Sequence, residues 1–434
     1  MQTNFSLAQL ADPDIAAADR ILRTCVHCGF CTATCPTYVI AGDENDSPRG
    51  RIYLIKNMLE NDEQADAIVT RHVDRCLTCL SCMTTCPSGV DYMHLVDHAR
   101  VRIEEQYRRP LLDRLLRGLL ANILPRPKLF RATLMMGGIT RTIGLPALFK
   151  GRLRALFDAL PASLPAPAET DRPGIFKAIG PRRGRVALLA GCAQPVLKPS
   201  INAAAIRLLN RLGIEVVVAQ GAGCCGALTQ HMGREHDALE TARGTLHAWA
   251  REIAGDGLDA ILVTTSGCGT AIKDYGHLFR DDPDAAMARD VAGRTLDISE
   301  YLLKLDALPR SEFGQGLKIA YHAACSLQHG QRIREAPKDL LRAAGFEVAE
   351  VPEGHLCCGS AGTYNLLQPE FANDLRARKI GNIQKTGAAL VAAGNIGCLQ
   401  QLQGGLDQPI VHTVELLDWA NGGPMPVGLD RLRG

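Results

Sequence analysis

The chain has 434 residues, 46 % of them hydrophobic, and a formal net charge of +2. That length accommodates two to four domains, and the near-neutral balance with 5 % aromatic residues gives no basis for nucleic-acid binding by charge or by base stacking. The longest uncharged run, Thr386 to Leu406, is dotted with Gly, Asn and Gln and makes no membrane span.

All sixteen cysteines fall into two patterns. Residues 1–108 hold the first, Cys25-x2-Cys28-x2-Cys31-x3-Cys35-Pro36 and Cys76-x2-Cys79-x2-Cys82-x3-Cys86-Pro87. This is the run of two-cluster ferredoxins, in which the fourth cysteine serves the other cluster. Three cysteines at two-residue intervals wrap one loop around three corners of a cubane, and the proline turns the chain away. The spacing therefore predicts one [4Fe–4S] cluster on Cys25, Cys28, Cys31 and Cys86, and a second on Cys76, Cys79, Cys82 and Cys35. Structural zinc also takes Cys-x2-Cys pairs, but has no use for a third cysteine at the same interval or for the repeated Cys-Pro. Met1 to Arg20 has no basic-then-apolar signal region, so a reducing cytoplasm is expected, and disulfides are not.

Between the loops, Arg51 to Glu60 carries apolar residues at helical spacing, and Val90 to Tyr107 reads as an amphipathic helix. Few residues favour strands, which points to the helical ferredoxin type. Asp43 to Arg51 reads as a solvated turn opening a helix. A sharper reading puts Arg49 or Arg51 beside a cluster, where nearby charge tunes its potential.

Residues 109–180 form a connector. From Arg100 to Arg154 there are thirteen Lys or Arg against three Asp or Glu, interleaved with the apolar runs Leu115 to Leu124, Ala132 to Thr140 and Thr142 to Phe149. It thins into a Pro/Ala-rich linker at Leu160 to Gly174. Three expectations fit it: a helical connector packed on its own domain, a dock for an acidic partner subunit, or a dock for anionic lipid.

Residues 181–310 and 311–434 are two copies of one module. Arg185 to Cys192 and Lys318 to Cys325 are strand-like runs ending in cysteine, each followed by a helical stretch and a second strand, Ile214 to Ala219 and Phe346 to Val351. Cys-Cys-Gly comes next, and then a cysteine beyond an apolar strand, at Ile261 to Val263 and Leu390 to Val391. The offset between copies is 133 residues at Cys192/Cys325, Cys224/Cys357 and Cys225/Cys358, and 130 at Cys268/Cys398. Similar helix starts close the copies at Asp297 and His412. Alternating strands and helices predict parallel α/β layers with thiols at the carboxyl rim. The fold class expected is thus α+β multidomain: a helical two-[4Fe–4S] ferredoxin domain followed by two repeated α/β modules.

Each quartet, Cys192, Cys224, Cys225, Cys268 and Cys325, Cys357, Cys358, Cys398, suits a further iron–sulfur cluster, a redox dithiol or packing. Four thiols match four irons, and an adjacent pair closes a disulfide only with strain, which favours a cluster in at least one module. Gly226 and Gly359 would relax the backbone for a close metal approach. His231, His322 and His355 are further candidate ligands.

These residues resemble the family of CCG-domain iron–sulfur subunits. The resemblance is carried by CVHCGFCTATCPTY from Cys25, SPRGRIYLIK from Ser47, RCLTCLSCMTTCPSGVDY from Arg75, GAGCCGAL from Gly221, TTSGCGTAIKDYG from Thr264 and LCCGSAGTYN from Leu356, and it covers nearly the whole chain. The family serves bacterial glycolate oxidase, anaerobic glycerol-3-phosphate dehydrogenase, lactate utilisation and heterodisulfide reductase, and these segments are most similar to the glycolate oxidase branch. Heterodisulfide reductase modules end Cys-x2-Cys; here Thr265 and Asn395 stand at the earlier position, which argues against a non-cubane cluster and disulfide chemistry.

The resemblance implies an electron-relay subunit with no catalytic residue of its own. FAD would lie on partner subunits that oxidise glycolate, with D-lactate or glycerol-3-phosphate as alternatives. Electrons would pass to a membrane quinone or another acceptor, from a chain lying peripherally on the cytoplasmic face of the inner membrane. No dinucleotide glycine fingerprint follows a first strand, in keeping with this division of labour. A thiol–disulfide enzyme and a purely structural iron–sulfur scaffold are the rival classes.

Overall fold

The N-terminal helices start where capping side chains allow. Asp12 accepts the Asp14 N–H to open the helix Pro13–Thr24, and Ser47 accepts the Gly50 N–H to open Pro48–Glu60. Both carry proline at the first helical turn, where no amide is needed. Their apolar faces, with that of Tyr92–Gln106, bury Ile15, Leu22, Ile55, Met58, Leu95 and Ile103 in one core. Each such side chain contributes about 1.5–3 kcal/mol when fully buried. Cys25, Cys76 and Cys82 sit on the wall of this core, so packing and site are built together. The computed structural model describes residues 1–430 except 63, 143, 144, 150, 307, 309 and 310. No strand precedes residue 174 among the described residues, as the helical reading expects.

The connector is helical over Leu111–Ile123, Pro127–Thr142 and Gly151–Asp158. The apolar run from Thr142 to Phe149 falls partly outside the described residues. Leu116, Leu120 and Ala121 pack with Met232 and Leu367, so the first connector helix rests on both modules. The count of basic residues overstated the free charge. Arg100, Arg102, Arg109, Arg117, Arg152 and Arg154 are all ion-paired, several of them to acids outside the basic run such as Asp62, Asp74 and Asp97. No helix among the described residues is long and apolar enough to cross a membrane.

The first module is a five-stranded sheet of β1 (Gly174–Phe176), β2 (Gly184–Leu188), β3 (Ile214–Val218), β4 (Ala260–Val263) and β5 (Thr295–Asp297), in the order β1-β3-β2-β4-β5. The second has β6 (Lys318–His322), β7 (Glu347–Glu350), β8 (Leu390–Ala393) and β9 (Ile410–His412), in the order β7-β6-β8-β9. Every pair is parallel except β1 with β3. The repeat holds to the residue: Leu188 pairs with Leu262 as Tyr321 pairs with Ala392. The strands are shorter than the sequence runs. They end at Leu188 and His322, so Cys192 and Cys325 lie on the turns that follow. Asp297 and His412 each open a helix with a capping box, completed by Glu300 and Glu415.

One hydrophobic core runs through both modules, joining Val186 and Leu262 to Ile319 and Val391. Asp418 pairs with Arg207 and Arg211, and Ser266 and Ser326 hydroxyls meet at 2.7 Å. The helical domain is pinned to the first module through His94, which bridges Asp91 at 2.6 Å and Asp274 at 3.1 Å and stacks on His277 at 3.5 Å. Burial opposes the charged imidazole, but hydrogen bonds to both carboxylates outweigh it and hold His94 up to about 10.

Candidate iron–sulfur centres

The two ferredoxin motifs wrap two neighbouring cavities. Cys25, Cys28, Cys31 and Cys86 line the first; Cys35, Cys76, Cys79 and Cys82 line the second, with Cys82 on the shared wall. Each loop owes its curl to paired left-handed residues at matching positions: His27 and Gly29 in one, Thr78 and Leu80 in the other. At Thr78 this turns the amide back to donate to Cys76 Sγ at 3.4 Å. Gly29 has a second reason, since a Cβ there would come within 2.6 Å of the Arg49 guanidinium. The donor chemistry fits an iron–sulfur group. Burial pushes the thiols of Cys79 and Cys82 well up and Cys31 up to about 11, so thiolates there call for a bound cation.

The surroundings separate the two cavities. Cys28 is exposed and Cys31 and Cys86 are half-buried, whereas all four thiols of the second are buried. Arg51, 1 % exposed, lies beside the second. It donates to the His72 carbonyl at 2.6 Å, Thr37 Oγ1 at 3.0 Å and Cys35 Sγ at 3.8 Å. Asp46, fully buried, gathers Arg51 at 3.4 Å, His72 at 2.9 Å and Arg75 at 2.7 Å. Tyr92 donates to Cys76 Sγ at 3.7 Å, and Arg100 to the Cys76 carbonyl at 2.7 Å. Of the two arginines singled out by sequence, Arg51 belongs to the second cavity. Arg49 lines the first and pairs with Glu44 at 2.7 Å.

In each module the quartet gathers where predicted, at the carboxyl rim of the parallel strands. Cys325 and Cys357 Sγ are 3.7 Å apart. Hydrogen bonds from the thiols on either side hold the first cysteine of each pair low: Cys192 and Cys225 act on Cys224, and Cys325 and Cys358 on Cys357. Their partners Cys192, Cys225, Cys325 and Cys358 move up correspondingly. Thiols gathered and paired in this way suit metal ligation, which takes them as thiolates. The glycines after the pairs have a further reason, not read in sequence. At φ 84 and 88, a Cβ on Gly226 would meet the Ala238 carbonyl oxygen at 2.7 Å, and one on Gly359 that of Ala372 at 2.5 Å. The left-handed backbone and close helix packing both demand glycine there.

The modules differ in polar company. In the second, Asn395 donates to Cys398 Sγ at 3.4 Å, and His322 lies against Cys358 and Cys398. A hydrogen bond from Cys358, reinforced by His322, holds Cys398 down to about 5. The other two histidines are elsewhere: half-buried His231 is pushed down to about 3 by desolvation, and the His355 carbonyl accepts from His329. Sequence reasoning missed the contact between sites. Cys79 and Cys357 belong to one buried cluster with Leu77 and Tyr364, and the Tyr364 hydroxyl donates to the Arg75 carbonyl at 3.1 Å. Nothing in either motif could have signalled a meeting of residues this far apart in the chain.

A family model described as "4Fe-4S dicluster domain" matches residues 21–90, and one described as "Cysteine-rich domain" (CCG) matches 186–273 and 319–403. The glycolate oxidase iron–sulfur subunit of Escherichia coli K12 is 41 % identical over 97 % of this chain and 99 % of its own. A probable glycolate oxidase iron–sulfur subunit of Bacillus subtilis is 32 % identical over 92 % and 94 %. Lactate utilization protein A of Oceanobacillus iheyensis is 26 % identical over 54 % of this chain and 96 % of its own. A crystal structure of a hypothetical protein from Helicobacter pylori shares the fold, with a TM-score of 0.53 at 11 % identity over 95 % of this chain and 73 % of that one. A dicluster ferredoxin domain and two CCG modules, matched end to end at this identity, settle the family: the chain belongs to the glycolate oxidase iron–sulfur subunits.

Proposed function

We propose that this chain relays electrons in a flavin-dependent glycolate dehydrogenase complex, from FAD on partner subunits to a membrane quinone or another acceptor, in the cytoplasm. Iron–sulfur groups, when bound, supply one-electron transfer. Cys25, Cys28, Cys31 and Cys86 would hold one, and Cys76, Cys79, Cys82 and Cys35 the other, each set lining one cavity. The quartets of the modules, Cys192, Cys224, Cys225, Cys268 and Cys325, Cys357, Cys358, Cys398, would hold further metal groups. The observation that carries the reading is that Cys79 and Cys357 share one buried cluster. It leads from an exposed site through a buried one into the second module, and electron tunnelling falls steeply with distance.

The connector offers a docking face. Leu111, Leu112, Leu115 and Leu119 fall on one side of a single helix and are 53–63 % exposed. With four of the connector's arginines already paired, this face meets a membrane through apolar contact more than through charge. The test is co-purification of the tagged chain with its partners, followed by glycolate-dependent reduction of a quinone analogue. Flavoprotein partners and a rate abolished by Cys79→Ser are expected. Partners without FAD, or a rate indifferent to Cys79→Ser, would refute the relay. Free alkylation of the eight module thiols in anaerobic, metal-replete protein would favour a dithiol enzyme instead.

A further inference from the structure

The two modules agree in strand order, register and thiols, so a difference between them at the thiols is informative. His322 closes β6, is 2 % exposed, and among the described residues finds no oxygen or nitrogen partner for either ring nitrogen. A buried imidazole left unsatisfied is costly and calls for a partner. One of its nitrogens lies with Cys358 Sγ and Cys398 Sγ in a group whose atoms are all within 4.8 Å of one another. At the offset of the repeat the first module has Leu189, buried at 3 % in an apolar cluster with Val217 and Val263. The fold therefore does not need a histidine here. Lys379, 2 % exposed and donating to the Glu353 carbonyl at 2.9 Å, is pushed down by burial, against which the same thiols favour its charged form.

We infer that His322 supplies an imidazole nitrogen to the metal group of the second module, giving it a mixed thiolate–imidazole donor set that the first module lacks. This rests on the reading that the modules bind metal. Imidazole and thiolate together suit both iron and zinc. On an iron–sulfur group, exchange of thiolate for histidine raises the reduction potential. Two repeats with the same thiols would then differ in potential or in metal.

The experiment uses the full-length protein, prepared anaerobically, as wild type and as His322→Leu, which copies Leu189. Iron and zinc are counted first. If the metal is iron, pulsed EPR of protein labelled with 15N-histidine is expected to show the nitrogen coupling of a directly bound imidazole. If it is zinc, X-ray absorption is expected to show imidazole scattering. His322→Leu should lose that signature and about 10- to 100-fold in metal affinity at this site, while keeping the EPR signals of the two ferredoxin centres. Should the variant fail to fold, the labelled wild type alone decides. Metal in the modules with no nitrogen coupling or imidazole scattering, or only the weak coupling of a hydrogen bond, overturns the inference and leaves the metal-binding reading standing. Iron confined to the ferredoxin centres, with no zinc, overturns both.

Discussion

The two ferredoxin cavities carry the same motif and share almost nothing else. The first is walled by a loop at the surface, where Val26 and Phe30 are 66 % and 61 % exposed. The second is closed off by Arg51, Tyr92 and Arg100 and touches the second module. Identical ligand spacing fixes what each loop binds, and the neighbours fix what each centre is for. The exposed centre suits exchange with a partner protein; the buried one suits passage within the chain.

The largest effect expected is loss of one centre. If the cavities own their ligands as they are lined, Cys86→Ser removes the EPR signal of the Cys25, Cys28, Cys31 centre and spares the other, and Cys35→Ser does the reverse. Loss of the centre nearest in sequence would break the comparison. Next, Asp46→Ala strips Arg51, His72 and Arg75 of their shared carboxylate. Removing one partner of a buried ion pair costs about 3–5 kcal/mol, and denaturant unfolding should show it together with a shift confined to the second centre. A matching change at Glu44, the exposed partner of Arg49, should cost under about 1 kcal/mol.

The next effect concerns the pin between helical domain and first module. His94 is held up to about 10, above the 6.5 of an unfolded chain, so its stabilisation is complete below about pH 6.5 and disappears as pH rises through about 10. His94→Gln should cost about 2 kcal/mol at pH 6 and almost nothing at pH 10.5; urea midpoints at the two values check the sign. Tyr92→Phe removes one donor to Cys76 and should lower the potential of the second centre slightly, leaving the first unchanged. Smallest is the connector. Membrane association through Leu111, Leu112 and Leu115 should survive washing at 1 M salt, where the Debye length is about 3 Å, and weaken when these residues become serine. Release by salt alone would restore the electrostatic view.

Much of this organisation was legible in the sequence because it is periodic. The cysteine spacing, the repeat offset and the alternation of strands with helices all lie within short windows, and the sheets follow them. Strand β1, the antiparallel edge against β3, was not legible: three residues of a Pro/Ala-rich stretch carry no alternation to read. Strands β5 and β9 were hidden the same way, by their brevity in front of a strong helix start. Arg51 could be named as a candidate, but its network could not, because Asp46 and His72 become neighbours only when the helices pack. The ion pairs of the basic run were illegible for the converse reason: Arg102, Arg109 and Arg152 take partners distant in sequence, Asp62, Asp74 and Asp113. His322 was one of three equal candidates until the rim of β6 set it among the thiols.

The left-handed residues in the cluster loops bear on how the protein is made. His27, Thr78 and Leu80 hold φ values of 55, 49 and 61 without being glycine, at about 1–2 kcal/mol each. Such a conformation persists only where something over-determines it, and here the sulfurs converge on the space the loops enclose. Helices and sheets have caps, cores and ion pairs of their own and need no metal to form. The newly made chain is therefore expected to order its cluster loops late: the exposed first loop can be filled on the surface, whereas the second, covered by the second module, has to be filled before the helical domain closes on that module.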